Sequence, residues 1–307
     1  MYKLLKRNNY TIGRVTHIAQ KVRENAFSDL WQFLKTNITI RKELDIYENI
    51  NKIVNLDETP IWFEMYNKTT IDKIGNKTIK VKTFGSDKER ISVLLGILAD
   101  GEKLPPLIVF QGKPNGTIEK NLKKNKLDED KKIFIVCQDN SLVNESIFSM
   151  YLNQILFKSS EKNSNNKNMI VFDRARSHFS ERINELFEKF NSKYSLIPPG
   201  QTSYVQPRDV SINKSFKSAI HKKYTKFQID NKNLKKPNRE NIIDFIHDIW
   251  YEESIITKEM ILNAFKICGI FNSMDGSEDE LFKWPDDIIP NIQMAEPIWA
   301  SEDEEDN

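Results

Sequence analysis

Cysteine is nearly missing from this chain: Cys137 and Cys268 are the only two among 307 residues. Two such residues make no disulfide framework and no CxxC zinc spacing, which points to a reducing compartment, cytosol or nucleus. No run of eighteen apolar residues occurs, so no segment reads as a membrane-spanning helix and no membrane partner is expected. The basic start, Met1 to Asn9, lacks the apolar stretch of a secretory signal. Net charge is also nearly absent: 46 Lys and Arg face 44 Asp and Glu, leaving +2, which taken alone does not look like a nucleic-acid binder. What is present is a globular composition. Hydrophobic residues at 39% and aromatics at 10% argue against wholesale disorder, and the length allows one large or two medium domains.

Periodicity places the elements. Phe27, Leu30, Trp31 and Leu34 fall at helical spacing, which predicts a short amphipathic helix from Ala26 to about Lys35 with Asn25 as its N-cap. Ile53 to Phe63 reads as a buried strand interrupted or finished near Pro60. Thr78–Thr83, Arg90–Leu98 and Leu107–Phe110 read as an antiparallel meander, and Ile133–Val136 as a further strand, with residues 113–132 an exposed loop between. Asn144 to Phe157 has helical spacing. Met169–Phe172 is an apolar strand, Ser180 opens a helix to Phe190, Tyr194–Ile197 is a short strand stopped by Pro198-Pro199-Gly200, and another helix follows Val210. Strands alternating with helices predict an α/β fold with a mixed sheet.

Three aspartates sit where apolar strands meet loops or helices: Asp57 after Ile53-Val54-Asn55-Leu56, Asp173 after Met169-Ile170-Val171-Phe172, and Asp209 ahead of the last helix. Carboxylates converging from rigid elements form an oxygen-rich site of the kind Mg²⁺ or Mn²⁺ prefers. Lone carboxylates at strand ends are also common, so the pattern leaves a purely structural reading open.

The residues around them carry more. Asn55-Leu56-Asp57-Glu58-Thr59-Pro60, Val171-Phe172-Asp173-Arg174-Ala175-Arg176-Ser177-His178 and Pro198-Pro199-Gly200 through Gln206-Pro207-Arg208-Asp209-Val210 together resemble the DDE transposase family, more narrowly the pogo-like branch of the Tc/mariner superfamily that includes relatives of centromere protein B. Gly85 to Val93, Ala99 to Pro106, Phe110-Gln111-Gly112-Lys113 and Phe265 to Ile270 add to the pattern, which covers roughly residues 45 to 280. The resemblance implies a ribonuclease H-like fold, a five-stranded mixed sheet with helices on both faces. It further implies Asp57, Asp173 and Asp209 as catalytic triad and metal ligands, with 35 residues between the second and third. Two Mg²⁺ or Mn²⁺ ions are then expected in a metal-dependent DNA endonuclease and strand-transfer core acting by two-metal phosphoryl displacement. Glu58 should face the opposite side of its strand from Asp57, leaving a structural role beside ligation. His178 is a candidate for a phosphate or carboxylate contact, or for a helix cap. Asn213, one helical turn past Asp209, is a candidate for a supporting hydrogen bond or for plain exposure. Arg174 stands where relatives often carry a small polar amide; with Arg176 and Arg208 it places cations beside the acidic site, as DNA-phosphate contacts, as a partial replacement for a metal's charge, or as surface ion pairs.

The near-zero charge is a cancellation. Residues 272–307 hold twelve acids against Lys283, so residues 1–271 carry about +13. Lys214 to Arg239 holds nine basic residues against Asp230 alone, which makes Lys214, Lys217, Lys222 and Lys223 candidate DNA contacts, sequence-independent and salt-dependent. The expected organisation is a remnant of an N-terminal helix-turn-helix region and linker helix over 1–45, a catalytic domain over 46–271 and an acidic tail over 272–307. The partner expected is DNA, the compartment the nucleus, and a homodimer is left open. Because the recognition helices of the family have no counterpart here, the competing expectation is a domesticated or decayed transposase that binds nucleic acid or chromatin without catalysis.

Overall fold

The computed structural model describes residues 25–47, 49–65, 85, 89–124, 129, 131–157, 167–174, 180–232, 235–252, 254–282 and 284. Its centre is a six-stranded mixed sheet. Strands β1 (Ile53–Trp62), β2 (Arg90–Leu98) and β3 (Leu107–Gln111) form an antiparallel meander. Strands β4 (Phe134–Gln138), β5 (Met169–Asp173) and β6 (Lys193–Ile197) join in parallel to β3, β1 and β5. The count is six rather than the five the resemblance implied, with β4 lying parallel to β3 at one edge and β6 parallel to β5 at the other. The expected strand at Thr78–Thr83 lies outside the described residues.

Central strands read as continuous apolar runs because both faces are covered. One face packs Ile53, Val93, Leu95, Ile108 and Val171 beneath α1 (Ala26–Leu44) and the C-terminal helices. The other packs Val54, Leu56, Leu94 and Phe172 beneath α3 (Glu145–Tyr151) and α4 (Glu181–Lys189). No helix among the described residues is long and apolar enough to cross a membrane.

Local signals account for most boundaries. Asn144 and Ser180 cap α3 and α4, each side chain accepting the backbone N–H of the third residue onward. Asn25 does not cap α1 this way: its backbone is not extended, and its side chain makes no capping bond. Helix α1 also runs nine residues beyond the expected Lys35. Its inner stripe continues through Ile40 and Leu44 but is interrupted by the buried polar Asn37 and Arg41, which hid it from a hydrophobicity count. Both are held from outside the helix, Asn37 by the Ser195 hydroxyl and Arg41 through the Asn272 carbonyl at 3.0 Å.

Residues 113–132 are not simply an exposed loop. They contain α2 (Thr117–Lys124), whose Glu119 is buried and accepts the backbone N–H groups of Asn115 at 3.0 Å and Cys137 at 3.1 Å while pairing with Lys123 at 2.6 Å. Burial alone would raise the Glu119 pKa; Lys123 and the two backbone donors outweigh it and hold the carboxyl below its ordinary value.

Nor does Pro60 end β1. The ladder to β2 continues through Pro60–Ser92 to Trp62–Arg90. The backbone groups of Ile53 and Phe63 bond toward the β2 side, so by strand alternation the nitrogen of Pro60 points the other way, toward β5. Pairing with β5 has already stopped at Asn55–Val171, and a missing N–H there breaks no bond.

Candidate active site

The same early end of the β1–β5 ladder positions the acidic residues. Asp57 and Asp173 each lie two residues beyond the last pair, Asn55–Val171, and so stand at one level on the same face where the two parallel strands part. In open α/β sheets such a crevice at strand carboxyl ends is the usual ligand site. Asp57 is 9% exposed, Asp173 half-buried. By the same alternation Glu58 falls on the opposite face from Asp57, half-buried.

The third aspartate comes from the other layer. After β6 and the short α5 (Thr202–Val205), the chain makes one wide π-helical turn, Arg208–Ile212, before entering α6 (Asn213–Asp230). The turn directs Arg208 inward and Asp209 outward, and sets Asn213 between them. The Asn213 amide nitrogen donates to Asp57 Oδ2 and to Asp209 Oδ1, each at 2.7 Å. Its amide oxygen accepts from Arg208 Nη2. Arg208 is fully buried, and its Nη1 donates to the carbonyls of Leu95 at 2.9 Å and Asp57 at 3.1 Å.

Below this, the buried Asn55 donates to the Val171 carbonyl at 2.9 Å and to Gln206 Oε1 at 3.1 Å. Gln206 in turn points Nε2 at the Leu56 carbonyl at 3.4 Å. A polar layer of Asn55, Gln206, Arg208 and Asn213 thus underlies the aspartates and ties β1, β5 and the wide turn together.

Arg208 is therefore not a surface cation. Of the three arginines beside the acidic residues, it is the one that serves as their internal counter-charge. The signal available in sequence was its place directly before Asp209 in Gln206-Pro207-Arg208-Asp209. Burial lowers its pKa to about 10, so it stays charged at neutral pH; Asp57, Asp209 and Tyr151 pull it back up. For Asp57, burial is the largest influence and raises the carboxyl pKa. Arg208 opposes it, Asp209 adds to it, Asn213 opposes and Asp173 adds, leaving the value above the ordinary carboxylate range.

A raised folded-state pKa means that the folded protein holds this proton more tightly than the unfolded chain. Its favourable contribution is therefore complete below about pH 4, the unfolded value, and is lost as pH rises through the folded value. The melting temperature of the metal-free protein is expected to fall over that window, and Asp57→Asn to flatten the fall. An equally steep fall in Asp57→Asn would show that another group is responsible.

The remaining candidates are placed as follows. Arg174 is exposed, one residue beyond Asp173. Lys214, Lys217 and Lys222 are exposed along α6, leading away from Asn213. Lys223 is half-buried and paired with Asp248 at 2.8 Å, so it is not a free contact for a ligand. Arg176 and His178 lie outside the described residues, as do residues 285–307 of the acidic segment. Among the described residues, no group of three or more His, Cys, Asp or Glu is clustered closely enough to form a ready-made metal centre. The donor set nonetheless suits a hard divalent cation: every ligand atom offered is a carboxylate oxygen, and two of the carboxylates already share one hydrogen-bond donor.

A mixed sheet covered by helices on both faces, with Asp57 and Asp209 meeting on one Asn213 amide, has the ribonuclease H-like fold. Two solved structures share the fold: the pre-cleavage Mos1 transpososome and the Mos1 strand transfer complex, each with TM-score 0.50 over 92% of this chain and 70% of theirs, at 11% and 12% identity. The chain belongs to the DDE superfamily endonuclease family, whose model matches residues 88–265. Its relatives are pogo-type within the Tc/mariner group. The human protein "Pogo transposable element with KRAB domain" is 25% identical over 290 residues, 92% of this chain, and its mouse counterpart 26% identical over the same length. The chain spans 45% of the length of each.

Proposed function

We propose that this chain is the DNA-cleaving and strand-transferring core of a pogo-type transposase, a nuclear protein, working with two Mg²⁺ or Mn²⁺ ions held by Asp57, Asp173 and Asp209. The observation that carries the reading is the convergence of Asp57 and Asp209 on one Asn213 amide, with Asp173 level with Asp57 on the adjoining strand. The cations, when bound, supply Lewis-acid stabilisation of the charge that develops in a phosphodiester displacement.

The protein's own part is positional. In this reading the three carboxylates close on the cations from the sheet and the wide turn, and Arg208 and Asn213 balance the charge of Asp57 and Asp209 from beneath. Exposed Lys214, Lys217 and Lys222, with Arg174 at the rim, hold the nucleic-acid backbone over the crevice without reading its sequence. Because water attack and hydroxyl attack are both in-line displacements at phosphorus, one crevice serves cleavage and transfer. A homodimer belongs to the same reading.

A second reading, a relic that binds nucleic acid without cutting it, is favoured by the lack of a ready-made three-carboxylate cluster among the described residues. Supercoiled plasmid incubated across a Mn²⁺ and Mg²⁺ series separates the two. Nicking that rises with cation and saturates is expected for the core; DNA binding that weakens with salt but never yields nicked circles favours the relic.

A further inference from the structure

Asn213 is more than a neighbour of the aspartates. The residue is 6% exposed, and the orientation of its side chain is fixed from behind. The amide oxygen accepts from Arg208 Nη2, and Arg208 is itself pinned by the Leu95 and Asp57 carbonyls. Turning the amide over would set its oxygen against two carboxylate oxygens and its NH₂ against a guanidinium. The NH₂ group therefore faces Asp57 and Asp209 permanently, and its hydrogens engage one oxygen of each, Asp57 Oδ2 and Asp209 Oδ1. Among the described residues the second oxygens, Asp57 Oδ1 and Asp209 Oδ2, accept no hydrogen bond.

Cations differ in what they ask of a carboxylate. Ca²⁺ takes six to eight oxygens and readily chelates both oxygens of one carboxylate. Mg²⁺, and by its preference for the same octahedral oxygen sites Mn²⁺, needs only one oxygen per carboxylate and fills the remaining positions with water. We propose that Asn213 is the specificity-determining residue of the site: by engaging one oxygen on each of Asp57 and Asp209 and fixing how each carboxylate is turned, it disfavours chelation by both oxygens of one carboxylate and so selects small octahedral cations over Ca²⁺. Asn suits the role because it joins two donors on one nitrogen to an acceptor for Arg208. Asp would add a fourth carboxylate to the three already there, and Ala would free Asp57 and Asp209 to chelate. The inference rests on the metal-binding reading above but adds to it, since three aspartates alone do not set the preference.

The test uses cation binding rather than activity. Mn²⁺ affinity is read by loss of the free-ion electron paramagnetic resonance signal, and Ca²⁺ affinity by competition, for wild type, Asn213→Ala and Asn213→Ser, with folding of each checked by circular dichroism. Wild type is expected to prefer Mn²⁺. Removing the amide should weaken Mn²⁺ about 10-fold or more, as loss of a ligand-orienting partner generally does, while sparing Ca²⁺. The preference then falls about 10-fold. A Mn²⁺ to Ca²⁺ ratio unchanged in whichever variant folds would overturn the role of Asn213 and leave the metal site standing. Wild type without saturable Mn²⁺ binding would instead overturn the metal reading, and this inference with it.

Discussion

Asp173→Asn is expected to abolish plasmid nicking, with a loss of roughly three orders of magnitude or more, while the protein stays folded and binds nonspecific DNA as before. The size follows from what a metal ligand supplies: cation stabilisation of a developing charge is worth several kcal/mol, and every 1.36 kcal/mol is tenfold in rate. The selectivity of the effect follows from the fold. Asp173 is half-buried at the last residue of β5, already beyond the β1 ladder, so exchanging its carboxylate for an amide removes no strand pairing. Its removal lifts one repulsive neighbour from Asp57. The lysines of α6 lie on a different element, and DNA affinity with its salt dependence should be unaltered. Nicking at the wild-type rate in Asp173→Asn would remove this residue from the chemistry. A parallel loss of folding would show that the residue is structural.

Arg208→Met is expected to lower the unfolding free energy by about 3–5 kcal/mol, a large share of the stability of an ordinary domain. Methionine fills much of the volume, but Asn213 Oδ1 loses its donor, the Leu95 and Asp57 carbonyls lose one of theirs, and the buried Asp57 loses its counter-charge. Removing one partner of a buried charged network leaves the others unpaired in a poorly solvated place, and that, rather than the strength of any one bond, sets the magnitude. Arg208→Lys should fall between, since a single ammonium cannot span acceptors on two strands and a helix. Urea unfolding in metal-free buffer measures all three proteins; a loss under about 1 kcal/mol for Arg208→Met would mean that water or rearrangement replaces the guanidinium.

How far such a site can be read from sequence is clearest at its individual residues. Apolar runs locate β1 and β5, and a strand's two-residue period is enough to set Asp57 and Glu58 on opposite faces. What periodicity does not contain is register: that the β1–β5 ladder stops at Asn55–Val171 is a tertiary fact, and it puts Asp57 level with Asp173. Arg208 was legible as a cation beside the acidic residues but not as a buried one, for a general reason. Arginine is seldom buried without partners, so an arginine near acids is first taken for a surface cation, and the carbonyls that accept its protons leave no trace in the sequence. Asn37, Arg41 and Glu119 were missed alike, as buried polar groups whose partners lie far along the chain. Lys223 shows the converse, a plausible ligand contact already engaged by Asp248. Asn213 was legible as a neighbour of Asp209, but its hold on Asp57 was not, because 156 residues separate them.

The wide turn at Arg208–Ile212 also works as a phase setting. A helix is a screw on which each residue advances about 100°. The one extra residue accommodated there fixes the angle at which α6 leaves the crevice, and with it the bearing of every side chain downstream. With Asn213 turned inward, Lys214, Lys217 and Lys222 are exposed along α6; shortening the turn by one residue would swing those side chains more than a quarter of a revolution around the helix axis. The acidic centre and the basic track are thus indexed to one another by a single backbone defect, like a key cut relative to its bow.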